Sequence, residues 1–154
     1  MLIDELKRLA LITGRGKQAG LLTLCHAGRL VGGLSMSLRA TPDEVVGPLT
    51  HAMGGAARHF RVLDVRSGPP LELEIQAGGL HEKWEVRDVP GLAHNLNDLY
   101  RGDPGVRAVA VLGEWEDMLH TWCVDKALLP PLLRRRVLDS AVNADTLWGL
   151  TGRP

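Results

Sequence analysis

Residues 106–124 read VRAVAVLGEWEDMLHTWCV, and the rest of the fold is arranged around them. Val106 to Leu112 is almost wholly apolar, and Gly113 to Asp117 has the composition of a turn. On the return, Met118, His120, Trp122 and Val124 alternate with Leu119, Thr121 and Cys123. A short apolar run, a turn and a period of two predict a β-hairpin. Its first strand is apolar on both faces, so it is expected to be central in its sheet.

Before this hairpin, Leu92, Leu96 and Leu99 mark a short helix stopped by Gly102 and Pro104. Further back, Val62 to Val65 and Leu71 to Gln76 read as strands separated by Ser67-Gly68-Pro69-Pro70. Gly78-Gly79 turns the chain into a third strand around Trp84 and Val86. Thr41-Pro42-Asp43-Glu44 combines a capping hydroxyl, a proline at the first helical position and a glutamate that can reach back. A helix is therefore expected from Thr41 to about Phe60, kinked or delayed by Pro48. Gly20 to Cys25 and Leu30 to Leu38, joined by the turn-like His26-Ala27-Gly28-Arg29, read as an earlier hairpin. Residues 2–13 read as an amphipathic helix. After the central hairpin, a helix over about 130–142 and a last helical piece around Asp145–Leu150 complete the chain.

The expected fold is α+β, a mostly antiparallel sheet covered by helices in the order α-β-β-α-β-β-β-α-β-β-α. At 154 residues this is one domain, 1–154. Two stretches, 2–60 and 91–142, share the grammar helix, glycine loop, hairpin, helix. Common α+β packing explains that without a duplication.

Apolar residues make up 45% and charged residues 23% of the chain, values that fit a globular domain and exclude a disordered or fibrous one. Eighteen basic residues cancel eighteen acidic ones, with net +2 up to Ala77 and −2 after it. Nucleic acid is therefore not an expected partner. Arg134-Arg135-Arg136 reads as one solvated helical turn. No apolar run approaches a membrane span, and Met1 to Glu5 does not open a signal peptide, which makes the cytoplasm the expected compartment. Cys25 and Cys123 sit in apolar segments, as reduced buried thiols do.

Catalytic signatures are missing. Gly14-Arg15-Gly16-Lys17 lacks the earlier glycine, the hydroxyl residue and the following helix of a phosphate loop. No serine sits in a G-x-S-x-G elbow, so no catalytic residue is expected. No cofactor is implied. Six histidines and two cysteines are the only soft metal donors; the outside candidates are Cys25, His26 and His120, while His120 and Cys123 point to opposite faces of one strand. His51 and His59 read as surface residues. Trp115 stands at a hairpin tip between two glutamates, where it either folds back onto the sheet or meets a partner. On the Thr41–Phe60 helix, Gly47, Thr50, Gly54 and Ala57 form a stripe of small residues beside the apolar stripe Val45, Leu49, Met53, Ala56 and Phe60.

The order helix, hairpin, helix, three strands over residues 2–89 resembles the Roadblock (dynein light-chain) family. The best local match is Gly20–Leu38 running into the capped helix that carries Ala52-Met53-Gly54-Gly55-Ala56. The resemblance implies a non-enzymatic homodimeric scaffold that meets a small GTPase. It places Gly47, Thr50, Gly54 and Ala57 at a close-packed interface; Trp115, from its hairpin-tip position alone, is a separate contact candidate. After Val89 the chain departs from that family by adding a helix, a hairpin and two more helices. The alternative function is a small-molecule sensor, or a metal-binding protein or enzyme built on Cys25, His26 and His120.

Overall fold

The computed structural model describes residues 21–134, together with Leu138 and Asn143. The expected helices at 2–13 and Asp145–Leu150, Trp148 and most of the 130–142 helix lie outside the described residues. The described elements are α1 (Leu21–His26), β1 (Gly33–Ser37), α2 (Pro42–Met53), β2 (Arg61–Arg66), β3 (Leu71–Ala77) and β4 (Leu80–Val86). They continue with α3 (Val89–Leu99), β5 (Ala108–Trp115), β6 (Met118–Val124) and α4 (Leu129–Arg134). The fold is α+β. All strand pairs are antiparallel, but they form two three-stranded sheets, β1-β6-β5 and β2-β3-β4.

Three sequence readings need correction. The strand expected from Gly20 to Cys25 is replaced over its described residues by a helix, Leu21–His26, that buries Leu21, Leu24 and Cys25, and Gly28 follows it at φ 72°. Burial at i, i+3 and i+4 suits one helical face, and so short an apolar run is ambiguous by periodicity. With that strand gone, the first of the two similar stretches has no hairpin. Second, the helix begun at Thr41 stops at Met53 rather than Phe60. Gly54 turns the chain at φ 75°, and Gly55–His59 continues as a 3₁₀ helix. Gly55 is required there, because a Cβ on it would stand 2.5 Å from the Gly105 carbonyl oxygen. Third, β5 is an edge strand and β6 is the central one.

β5 is apolar on both faces because helices cover both. One core joins Leu49 and Met53 of α2, Leu92 and Leu96 of α3, Leu73 and Ile75 of β3, and Val109, Val111, Leu119 and Cys123. A second core on the other face of β5 and β6 joins Leu21, Leu24 and Cys25 of α1 with Ala108, Ala110, Trp122, Val124, Leu129 and Leu132. The first core draws on both sheets. Burying a leucine such as Leu92, fully covered in α3, contributes about 2 to 3 kcal/mol. That helix starts where the Asp88 carboxylate accepts from the Gly91 amide at 2.7 Å. At the start of α2, Thr41 caps differently from expectation. Its hydroxyl donates to Glu44 Oε1 at 2.8 Å, while the Glu44 amide donates to the Thr41 carbonyl.

Candidate functional site

Four elements bring polar side chains to one spot on the outer face of the β1-β6-β5 sheet. Ser35 of β1 and His120 of β6 are cross-strand partners, so their side chains share a face. His26 ends α1 above them, and Trp115 closes β5 beside them. The Ser35 hydroxyl lies 2.7 Å from His120 Nδ1, and His120 Nε2 lies 3.3 Å from the Trp115 carbonyl oxygen. A carbonyl oxygen can only accept, so Nε2 carries the proton and Nδ1 offers its lone pair. The Ser35 hydroxyl is therefore the donor. His120 is fully buried, and its ring meets that of His26 edge-on at 5.2 Å between centroids.

Cys25 completes the cluster. Its thiol lies 3.8 Å from Ser35 Oγ and within 3.6 Å of the Leu34 and Thr121 carbonyl oxygens. Burial pushes this thiol up from its ordinary pKa, an effect partly offset by the Ser35 hydroxyl. Burial thus favours the protonated thiol over the thiolate. Cys123 belongs to the other core, where burial pushes its thiol up to about 12 against a smaller opposing pull from Arg107. Both cysteines are free.

The three outside candidates Cys25, His26 and His120 thus come together, through Ser35 and the turn of α1 rather than by strand alternation. Both nitrogens of His120 are engaged, and among the described residues no group of three or more His, Cys, Asp or Glu side chains is placed to hold an ion. His51 and His59 are exposed, as the sequence suggests.

The small-residue stripe does not survive as a surface. Gly47 is exposed, but Thr50 and Ala57 are buried within the chain, and Gly54 and Ala57 lie beyond the end of α2. The Thr50 hydroxyl turns back on its own helix, donating toward the Val46 and Gly47 carbonyls at 2.8 and 3.1 Å. Trp115 folds back, its ring edge-on to His26 at 4.6 Å, yet it keeps 41% of its surface exposed.

A contrast between strand edges went unseen in the sequence. The β5 edge is closed by side-chain amides: Asn97 pairs with both backbone groups of Val109, and Asn143 does the same at Val111. No such pairing closes β2 among the described residues. Of the five large apolar side chains exposed among the described residues, Leu63 and Val65 share β2, and within those residues β2 pairs with β3 alone. A bulge at Leu63 interrupts that pairing between Val62 and Asp64. Val62, Leu63 and Val65 were legible as strand residues, but nothing in their pattern told which edge stays open.

No family model matches this chain, and neither a curated protein nor a solved structure does. Function has to be argued from these residues. No helix among the described residues is long and apolar enough to cross a membrane.

Proposed function

We propose that the chain is a non-enzymatic regulatory or scaffold module that works through protein–protein contacts, adding an extended strand of another polypeptide to β2. The observation that carries this reading is the contrast between two of the four edge strands, β5 and β2, among the described residues. Buried amides close β5, whereas among the described residues nothing pairs with the outer edge of β2, beside exposed Leu63 and Val65. An open strand edge offers a row of backbone donors and acceptors, and natural proteins either blunt such an edge or use it. In this reading the module works in the cytoplasm, where its two free thiols stay reduced.

The test is fluorescence anisotropy with a labelled strand peptide of alternating valine and threonine, titrated into the full chain and into the Leu63→Lys/Val65→Lys variant. Binding to the first and not to the second supports the reading. Equal binding to both, or none to either, overturns it. The Roadblock resemblance adds a small GTPase as the partner class, tested by the same titration with purified GTPases in their GDP and GTP forms.

One observation favours a second reading, an acyl-transfer enzyme: an exposed serine hydroxyl donates to a buried histidine whose tautomer is fixed by a main-chain carbonyl. In that chemistry Ser35 Oγ attacks an ester carbonyl as its proton passes to His120 Nδ1, and the histidine returns the proton to the leaving alcohol. A fluorophosphonate that adds mass to the wild type but not to Ser35→Ala supports it. Absence of labelling removes it.

A further inference from the structure

We propose that His26 donates the hydrogen bond that holds the oxyanion formed when Ser35 attacks a carbonyl, and that His26 and Trp115 together suit this site to small uncharged aryl esters. The inference rests on the acyl-transfer reading above and adds to it an oxyanion donor and a substrate class.

The strands order the cluster. Ser35 on β1, His120 on β6 and Gly113 on β5 form one row across the sheet, so Ser35 and His120 share a face and Gly113 puts no side chain over them. Both nitrogens of His120 are held, Nδ1 at 2.7 Å from the Ser35 hydroxyl and Nε2 at 3.3 Å from the Trp115 carbonyl oxygen. Attack by Ser35 moves the π electrons of a carbonyl onto its oxygen, and that charge needs a donor close by. His120 has already given its N–H to Trp115. The Cys25 thiol, 3.8 Å from Ser35 Oγ, is turned toward the Leu34 and Thr121 carbonyl oxygens.

His26 meets that need. Its exposed ring meets His120 edge-on at 5.2 Å between centroids, whereas Trp115 packs against His26 itself at 4.6 Å. An imidazole carries at least one N–H whether neutral or protonated, so His26 is a donor in either state. Its backbone is fixed from both sides. Leu24 and Cys25 anchor α1 in the core, and the Ala27, Gly28 and Arg29 amides donate to the Thr23, Cys25 and Leu24 carbonyls. A donor held in place before reaction needs no reorganisation as charge develops.

In the reaction, Ser35 Oγ bonds to the carbonyl carbon while its proton passes to His120 Nδ1, and the oxygen that takes the π pair accepts from His26. The pair then returns, the bond to the leaving phenol breaks, and the phenol departs with the proton from Nδ1. Water repeats the sequence on the acyl-serine and frees the carboxylic acid. Trp115, 41% exposed beside His26, is a platform for the aryl group. Exposed Glu114 and Glu116 flank it and repel an anionic substrate.

The experiment measures phenyl acetate hydrolysis and fluorophosphonate labelling by the full chain, with Ser35→Ala as the blank. His26→Phe keeps a flat ring against Trp115 and His120 but has no N–H, and it lowers kcat about a hundredfold with KM little changed. His26→Gln restores an N–H donor and recovers part of the loss. Thermal unfolding confirms that both variants are folded. A kcat for His26→Phe equal to wild type, or a His26→Gln no better than His26→Phe, overturns the role of His26. In either case labelling that Ser35→Ala abolishes leaves the acyl-transfer reading standing. A wild type that neither turns over nor labels loses both. Trp115→Ala keeps the carbonyl that orients His120 and raises KM for phenyl acetate but not for methyl acetate; an equal effect on both esters overturns the substrate class.

Discussion

The Asn97 side chain holds Val109 by both of its backbone groups, donating to the carbonyl oxygen at 2.9 Å and accepting from the amide at 2.8 Å. A carboxamide carries the same donor and acceptor as a peptide group, so Asn97 acts as one residue of an extra strand. Asn143 repeats the device two residues on, at Val111, with distances of 2.7 and 2.9 Å. Asn97→Ala leaves a buried amide and carbonyl unpaired and lowers stability by about 2 to 4 kcal/mol. Asn97→Asp is no remedy at neutral pH, because a carboxylate keeps the acceptor but faces the Val109 oxygen with another lone pair. Urea unfolding of both variants checks this, and an Asn97→Ala midpoint equal to wild type contradicts it.

Alkali destabilises the fold through its buried thiol. Folded Cys123 holds its proton up to about 12, whereas an exposed thiol releases it near 9.0. Between those values the unfolded chain has lost protons that the folded chain keeps, so stability is fully present below pH 9 and falls as pH rises. This one group removes on the order of 4 kcal/mol by the end of that window. Burial also raises Tyr100, with Asp103 adding to the effect, in the same direction. Denaturation at pH 8 and pH 10 shows the slope, and Cys123→Ala makes it shallower while itself costing core packing.

The β5–β6 turn is strained by its residues. Glu116 and Asp117 both adopt left-handed conformations, at φ 54° and 59°, in a two-residue hairpin connection. Glu116→Asn with Asp117→Gly supplies the pair that this turn prefers, and raises stability by about 1 kcal/mol. A thermal midpoint that rises by a few degrees confirms the account.

Ser35 matters to stability through its partner His120. Ser35→Ala leaves the Nδ1 lone pair of fully buried His120 without its donor, a loss of about 1 kcal/mol. Ser35→Thr keeps the hydroxyl on a β-favouring residue and holds wild-type stability. If Ala and Thr unfold at the same urea concentration, the hydrogen bond contributes nothing.

The sequence made the α+β class, the 106–124 hairpin and the meander of β2 to β4 legible because alternation and turn residues are local signals. It misread α1 because Leu21, Leu22, Leu24 and Cys25 make a short, nearly continuous apolar run in which periodicity cannot tell a helix from a strand. It overran α2 because apolar spacing continues to Phe60, whereas the stop is the positive φ at Gly54, followed by Gly55, where the Gly105 carbonyl leaves no room for a side chain. The candidate site was half visible. Cys25, His26 and His120 were named, but Ser35, which links Cys25 to His120, is a strand serine with no marker. The roles of Asn97 and Asn143 were hidden for the same reason: an asparagine that imitates a strand looks like any other asparagine until β5 lies beside it.

Cys25 and Cys123 lie in separate cores on opposite sides of the β1-β6-β5 sheet. No breathing motion short of tearing that sheet can join them, so oxidation has no internal staple to form. The same separation makes the two thiols a pair of built-in probes. Alkylation at Cys25 clocks the opening of the layer made by α1 and α4, alkylation at Cys123 clocks the layer made by α2 and α3, and the ratio of the two rates tells which side of the molecule comes apart first.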